Sequence, residues 1–80
     1  MVVAFVCVKI GSGEQQSLHR VVLEGVMKIS GVLEAHLVFG RYDVIAKVEA
    51  RNTDDLSSLV VDKIGSVPGV LWTETFVTHS

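Results

Sequence analysis

One short pattern occurs twice in this sequence, and it constrains the fold more than any other feature. Ile29-Ser30-Gly31-Val32-Leu33 returns 38 residues later as Val67-Pro68-Gly69-Val70-Leu71. In both copies a glycine follows a segment with helical spacing and precedes an apolar run. Glycine and proline at such positions end helices, and the apolar run that follows favours a strand. A helix–strand junction that occurs twice predicts two related halves, each with one helix between strands.

The segments around these junctions fit two such halves. Val2–Ile10 is almost entirely apolar and predicts a strand, while Val32–Phe39 and Val44–Ala50 predict a hairpin around the turn Gly40–Asp43. Val70–Thr78 predicts the last strand. Two apolar stripes at helical spacing predict the two helices: Leu18, Val21, Val22, Gly25, Val26 and Ile29, then Leu56, Leu59, Val60, Ile64 and Val67.

The resulting order, β-α-β-β-α-β, is that of the ferredoxin-like α+β fold. Right-handed crossovers place both helices on one face of a four-stranded antiparallel sheet, so no helix covers the other face. The first strand is nevertheless apolar on both faces, because Val3, Phe5 and Cys7 alternate with residues such as Ala4 and Val6. An uncovered apolar sheet face is typical of a protein interface. We therefore predict that two copies pair through their sheets as a dimeric α+β barrel.

The composition agrees with an apolar surface that one copy leaves uncovered. Eighty residues suffice for a single domain, 1–80, and a domain of this size buries only about 60% of its unfolded surface. Yet 49% of the residues are hydrophobic and only 20% are charged, against about 25% charged in average proteins. The surplus of apolar side chains matches the predicted bare sheet face.

The charges and the single cysteine exclude several classes of protein. Seven basic and nine acidic residues give a net charge of −2, and the basic residues are dispersed, which argues against direct binding of nucleic acid. One cysteine cannot form an internal disulfide. No apolar run reaches the roughly 20 residues of a membrane span, and Val2–Val8 lacks the preceding basic segment of a signal peptide. We expect a cytoplasmic protein with no membrane partner.

Few residues of this sequence are candidates for catalysis, metal binding or phosphate binding. Cys7 lies among valines without a neighbouring base, which favours a buried, inert thiol. His19, His36 and His79 lack metal-ligand spacing, and Gly11-Ser12-Gly13 lacks the rest of a phosphate-binding motif. We therefore predict no metal, no cofactor and no catalytic residue.

The hairpin and the last segment carry the most specific resemblance to a known family. The hairpin reads Gly40-Arg41-Tyr42-Asp43, and the last segment reads Pro68-Gly69-Val70 followed by Thr73-Glu74-Thr75. With the Ile29–Val32 junction, the whole chain resembles the effector-binding domain of the Lrp/AsnC transcription regulators, called the RAM (regulation of amino acid metabolism) domain. Regulators of this family carry an N-terminal helix-turn-helix domain. Here the chain opens directly into the first strand, so we expect a stand-alone RAM domain without a DNA-binding domain.

The resemblance implies that the domains pair through their sheets, that dimers assemble further into rings such as octamers, and that effectors, commonly amino acids, bind between dimers near the hairpin. The ligand-binding residues implied by position are Gly40, Arg41, Tyr42, Asp43, Thr73 and Thr75. Asp43 could accept an ammonium group, amides near Gly40 could approach a carboxylate, and the threonine hydroxyls could orient a ligand. Arg41 could bind a ligand carboxylate or contact another subunit.

Each of these residues also has a structural interpretation. Aspartate is common beside tight turns, so Asp43 could serve only to fix the hairpin. Tyr42 could be an interface anchor, and Thr73 and Thr75 could reflect the strand preference of threonine.

The expected function is that of an effector-binding, oligomerising domain that takes a small molecule, most simply an amino acid. It would modulate transcription regulators of amino acid metabolism, including full-length Lrp/AsnC proteins with which it would co-assemble. Two alternatives are a small dimeric ferredoxin-like enzyme of the monooxygenase or isomerase type and a purely structural assembly module. The lack of a convincing base and of a cofactor motif favours a non-enzymatic role.

Overall fold

The computed structural model describes residues 1–11 and 16–79, and its elements follow the predicted order. They are strand β1 (Val2–Ile10), helix α1 (Gln16–Met27), strands β2 (Val32–Leu37) and β3 (Val44–Ala50), helix α2 (Thr53–Ser58), a π-helical segment (Leu59–Ile64) and strand β4 (Val70–Val77). Of the segment Gly11-Ser12-Gly13, only Gly11 lies within the described residues. None of the described helices is long and apolar enough to cross a membrane.

The four strands form one antiparallel sheet in the order β2-β3-β1-β4, so the first strand of the chain lies inside the sheet. Val6 of β1 stands opposite Ala46 of β3 on one side and Thr75 of β4 on the other. One buried cluster joins one face of the sheet to α1, α2 and the π-helical segment. The ferredoxin-like α+β fold predicted from the order of elements is therefore confirmed.

The face of the sheet that the helices cover, here called the inner face, carries the hydrophobic core. Ala4, Val6 and Val8 of β1 are completely buried, in one cluster with Val22 of α1 and Ile64 of the π-helical segment. Removing each such valine from water stabilises the fold by about 1.5–3 kcal/mol. The two apolar stripes read from the sequence thus meet the sheet on a single face, except for Val21 of the first stripe, which is 58% exposed.

The two copies of the repeated junction share one backbone conformation. Gly31 and Gly69 have φ angles of +101° and +100°, which side chains other than hydrogen rarely permit. A Cβ atom on Gly69 would also lie 2.8 Å from Cγ2 of Val22, and one on Gly31 would lie 3.1 Å from the carbonyl oxygen of Glu49. The sequence repeat therefore reflects the same turn, built once in each half.

The opposite face, here called the outer face, has no helix over it and divides into two halves. Phe5 of β1 and Trp72 and Phe76 of β4 are 40%, 54% and 54% exposed. Glu34 of β2 stands opposite Lys47 of β3 and belongs to the polar half. The uncovered apolar face predicted from β1 is present, and β4 extends it.

Strand β2 is shorter than its apolar pattern predicts. It ends at Leu37, and the side chain of Phe39 is fully exposed. The amide of Val38 donates to the carbonyl oxygen of Asp43 at 3.0 Å, so residues 39–42 form the loop of the hairpin. Hydrogen bonding across the turn, rather than hydrophobicity, sets the end of this strand.

Candidate functional site

The hairpin between β2 and β3 reaches the end of β1 and is bonded to it. The amide of Asp43 donates to the carbonyl oxygen of Val8 at 2.9 Å, which continues the pairing of β3 with β1 into the turn. Gly40, at the tip, has a φ of +129°, and no atom lies within 4 Å of where its Cβ would stand. Arg41 is exposed and makes no hydrogen bond or ion pair with the described residues. The tip therefore leaves both backbone and guanidinium open to a ligand or a second subunit.

The side chain of Asp43 acts as a hydrogen-bond partner for the end of β1. Its Oδ2 accepts the amide of Ile10 at 2.8 Å and lies 3.5 Å from Nζ of Lys9, while its Oδ1 lies 3.4 Å from Nε2 of His19 on α1. At this point β3 has stopped pairing with β1, and the register of β4 shifts between Lys9 and Ile10. We call Asp43 with Lys9, His19 and the Ile10 amide the Asp43 cluster.

The Asp43 cluster keeps the carboxylate ionised. Partial burial opposes the charged form of Asp43, but the hydrogen bond from the Ile10 amide and the nearby Lys9 and His19 outweigh it, so the pKa of Asp43 lies below its ordinary value. A carboxylate held in this way is a stable negative charge with donors on both oxygens. The geometry supports the hairpin-fixing interpretation of Asp43 and leaves its ligand-binding role a prediction.

Tyr42 lies on the outer face and joins the hairpin to β4. Its hydroxyl donates to Oε1 of Glu74, a residue that pairs with Cys7 and therefore points away from the helices. The hydrogen bond to Glu74 raises the pKa of Tyr42, and a contact with Trp72 partly offsets this. Glu74 lies between Trp72 and Phe76 along β4, so the phenol is fixed among the aromatic residues of the outer face.

Thr73 and Thr75 lie on the other side of the sheet from Tyr42. They pair with Val8 and Val6, whose side chains belong to the inner face, and both threonines are half-buried. Val8 separates Thr73 from Asp43, since β1 runs between their strands; two strand spacings correspond to roughly 10 Å. Five of the six residues implied by the resemblance therefore lie toward the hairpin end of the sheet, while Thr75 stands opposite Val6 in the middle of β1. The set also divides between the two faces of the sheet.

Three titratable residues of this region, Lys9, His19 and Glu74, were not among the predicted ligand-binding residues. Two of them have a sequence signal: Lys9 is the one charged residue in the apolar strand Val2–Ile10, and Glu74 is the central residue of Thr73-Glu74-Thr75. His19 lies beside Leu18 in the helical stripe and gives no such sign. Contacts between residues 24 and more positions apart are set by the packing of α1 and the hairpin against β1, which no local pattern reveals.

Other sequence candidates have structural roles. Cys7 is buried, and burial together with the charge of Glu74 raises the pKa of its thiol, which makes it a poor nucleophile. His36 lies 2.8 Å from Oε1 of Glu34 on the exposed surface. No group of three metal-binding side chains occurs in the described parts of the chain. Oδ1 of Asn52 caps α2 by accepting the amide of Asp55 at 2.8 Å.

A cavity lies at the other end of the sheet, away from the hairpin. It has a volume of about 570 Å³ and is open to solvent, and its lining includes Met1, Gly31, Arg51 and Lys63. None of the six implied ligand-binding residues lines it.

Comparison with known proteins defines the family. The family profile described as the Lrp/AsnC ligand binding domain matches residues 3–80. The curated relative PH1916 of Pyrococcus horikoshii, an uncharacterized HTH-type transcriptional regulator, is 41% identical over 59 residues, which are 74% of this chain and 39% of that protein. This chain spans less than half the length of the curated relatives it matches.

Solved structures agree with the profile. TTHA0845 from Thermus thermophilus is 28% identical with a TM-score of 0.87, and the match covers 100% of this chain and 95% of that one. The transcriptional regulator NMB0573 of Neisseria meningitidis, solved as a complex with L-Met, is 20% identical with a TM-score of 0.84 over 99% of this chain and 50% of that one. With fold and profile both matching almost from end to end, this chain belongs to the Lrp/AsnC ligand-binding domain family.

Proposed function

We propose that this protein is an effector-binding, oligomerising module that takes an amino acid at the hairpin end of its sheet. The observation that carries the proposal is the gathering of Arg41, Asp43 and Thr73 at that end, in a domain of a ligand-binding family. A regulator with the same fold, NMB0573, was solved with L-Met bound. An α-amino acid offers a carboxylate for Arg41 and hydrogen-bond donors for the threonine hydroxyls and hairpin carbonyls.

A second copy would complete this site. In one chain the implied residues divide between two faces, and the hairpin stands open to solvent. The apolar half of the outer face, with Phe5, Trp72 and Phe76, is the surface that would pair with another copy. These three side chains are 40–54% exposed, so each could bury about half of the roughly 150–250 Å² of a fully buried aromatic residue. Together they would supply part of the roughly 800 Å² that each partner buries in a standard interface. Dimers would then assemble further, for example into octamers, around the effector.

The proposed role is regulatory rather than enzymatic. The curated relatives are HTH-type transcriptional regulators, and this chain matches less than half of each. Co-assembly of this module with such full-length regulators in the cytoplasm would bring additional effector sites into one particle. A purely structural assembly role would produce the same particle without any response to ligand.

Ligand binding is tested first by thermal unfolding with each of the twenty amino acids at millimolar concentration. A ligand at 100 times its Kd stabilises the folded state by about 2.7 kcal/mol, which gives a clear rise in Tm for a domain of this size. Arg41→Gln should abolish the rise, whereas the matched substitution Arg51→Gln at the far end of the sheet should retain it. No rise with any amino acid would contradict the proposal.

The assembly state is measured separately by light scattering. We expect a dimer or a multiple of a dimer at micromolar concentration, and a larger mass in the presence of the effector. A monodisperse monomer at all concentrations would exclude pairing through the outer face. A dimer that responds to no ligand would instead favour the structural module.

A further inference from the structure

The hairpin end of the sheet contains more than one charge, but the charges differ in whether they already have partners. Asp43 has donors at both carboxylate oxygens: the Ile10 amide at 2.8 Å and Lys9 at 3.5 Å on Oδ2, and His19 at 3.4 Å on Oδ1. Its side chain is only 16% exposed. Arg41, two residues earlier, is exposed and has no such partner among the described residues.

A ligand therefore meets an occupied carboxylate and an unoccupied guanidinium. An added ammonium group would have to share Asp43 with Lys9, whose charge already balances the carboxylate, while the Ile10 amide and His19 take further acceptor positions. It would therefore gain less there than at an unpaired carboxylate. A carboxylate meets no such competition at Arg41, where bidentate pairing is open to it.

The carboxylate of Glu74, the second one in this region, offers no partner to a basic ligand side chain. Glu74 accepts the hydroxyl of Tyr42 on the outer face, whereas Thr73 and Thr75 lie on the inner face. A ligand oriented by the threonines would therefore be separated from Glu74 by the sheet itself. The single ammonium of a zwitterion can use hydroxyl and carbonyl oxygens, but a second positive charge on the ligand has no unpaired carboxylate to meet among the described residues of this site.

We infer that this site selects amino acids with neutral or acidic side chains and rejects basic ones, with Lys9 and His19 as the residues that determine this specificity. The inference rests on the proposed function, since it names the ligand class of the same site. Asp43 then serves as an internal counter-ion that holds the hairpin, and Lys9 already balances the carboxylate that a basic side chain would need.

The test measures Kd by calorimetry at constant ionic strength for matched ligand pairs and for all twenty amino acids. L-Norleucine and L-lysine differ mainly in the charge at the end of the side chain, as do L-citrulline and L-arginine. We expect the neutral member of each pair to bind about tenfold more tightly, the ratio that one unmatched charge-assisted hydrogen bond would produce. The best ligand among the twenty should be neutral or acidic.

Substitution of Lys9 separates this inference from the general one. Lys9→Gln frees one side of Asp43 and should reduce the preference for the neutral member about tenfold. His19→Gln should also reduce the preference for the neutral member, because it frees the other carboxylate oxygen of Asp43. Lys47→Gln, which changes a lysine elsewhere on the sheet, should leave the ratio of the two Kd values unchanged. L-Lysine or L-arginine as the best ligand of the unmodified protein, or an unchanged ratio in both Lys9→Gln and His19→Gln, would overturn the inference and leave the proposed function intact. Absence of binding to all twenty amino acids would overturn both.

Discussion

The two faces of β1 have nearly the same composition and entirely different surroundings. Ala4, Val6 and Val8 on the inner face are completely buried, whereas Phe5 on the outer face is 40% exposed. The difference arises from the connections between strands, because both crossovers pass over the same side of the sheet. Hydrophobicity alone therefore does not say which apolar residues form the core of one chain and which are available to another.

Outer-face residues are nevertheless not all alike. Cys7 is 7% exposed and lies between Glu74 of β4 and Ile45 of β3, while Phe5 and Phe76 stand opposite each other and remain half open. The aromatic pair is thus available for contact, and the small residue between the strands is covered by its neighbours. Substitutions on each face test this difference in burial.

The largest effect should come from a charge placed on the inner face. Val6→Asp would bury a carboxylate without a partner, at a cost of at least about 4 kcal/mol, which is comparable to the whole stability of a small domain. We expect loss of the cooperative unfolding transition in circular dichroism. A cooperative transition within a few degrees of that of the unmodified protein would contradict the assignment of this face to the core.

A charge on the outer face should instead affect assembly. Phe5→Glu combined with Phe76→Glu would place like charges on the proposed dimer face, so the mass by light scattering should fall to that of a monomer that remains folded. His36→Glu, on the polar half of the same face, is the matched control and should keep the mass of the unmodified protein. Equal masses for all three proteins would exclude this face as the contact.

Truncation of aliphatic residues on β3 should show that the inner face contributes more to stability than the outer face. Val48→Ala on the inner face removes buried methyl groups and should cost about 2 kcal/mol. Ile45→Ala on the outer face, where the residue is only partly buried in one chain, should cost less in a monomeric background such as the double glutamate variant. Urea unfolding provides both values, and a reversal of their order would refute the contrast.

The smallest effect concerns acid stability at the Asp43 cluster, where the two faces meet at the end of β1. The folded-state pKa of Asp43 is lowered, so its contribution to stability is fully present above the ordinary pKa of about 4 and is lost as pH falls through the lower folded value. Asp43→Asn keeps an acceptor for the Ile10 amide but has no proton to bind, so its stability should change less with pH below about 4. A parallel loss of stability in both proteins would contradict a specific role for this carboxylate.

The fold could be predicted because its determinants are local. The valine-rich first strand, the two helical stripes and the repeated glycine junctions each specify an element, and the order of elements leaves one topology. Phe39 is an exception, because its apolar side chain extends the strand pattern although the residue lies in the loop. The hydrogen bond from the Val38 amide to the Asp43 carbonyl closes the hairpin and ends the strand before Phe39. The continuation of α2 as a π-helical segment over Leu59–Ile64 also has no counterpart in the apolar spacing.

The site was predictable only in part, because its geometry depends on distant contacts. The hairpin motif led to Asp43, but the partners of this carboxylate, Lys9 and His19, come from β1 and α1. The division of Tyr42 and Thr73 between opposite faces likewise follows from the register of β4 against β1. The roles of the six implied residues in binding stay predictions until a ligand is measured.

The position of β1 has a consequence for how the chain is made. Of the four strands it is the first to leave the ribosome, yet it pairs with β3 and with β4, and Ala4 stands opposite Val77. Contacts of such long sequence separation close late and slow folding. One edge of β1 therefore stays unpaired until β3 has been synthesised, and the other until β4 has been synthesised. During that interval it is the segment most exposed to mispairing with other nascent chains and most in need of a chaperone.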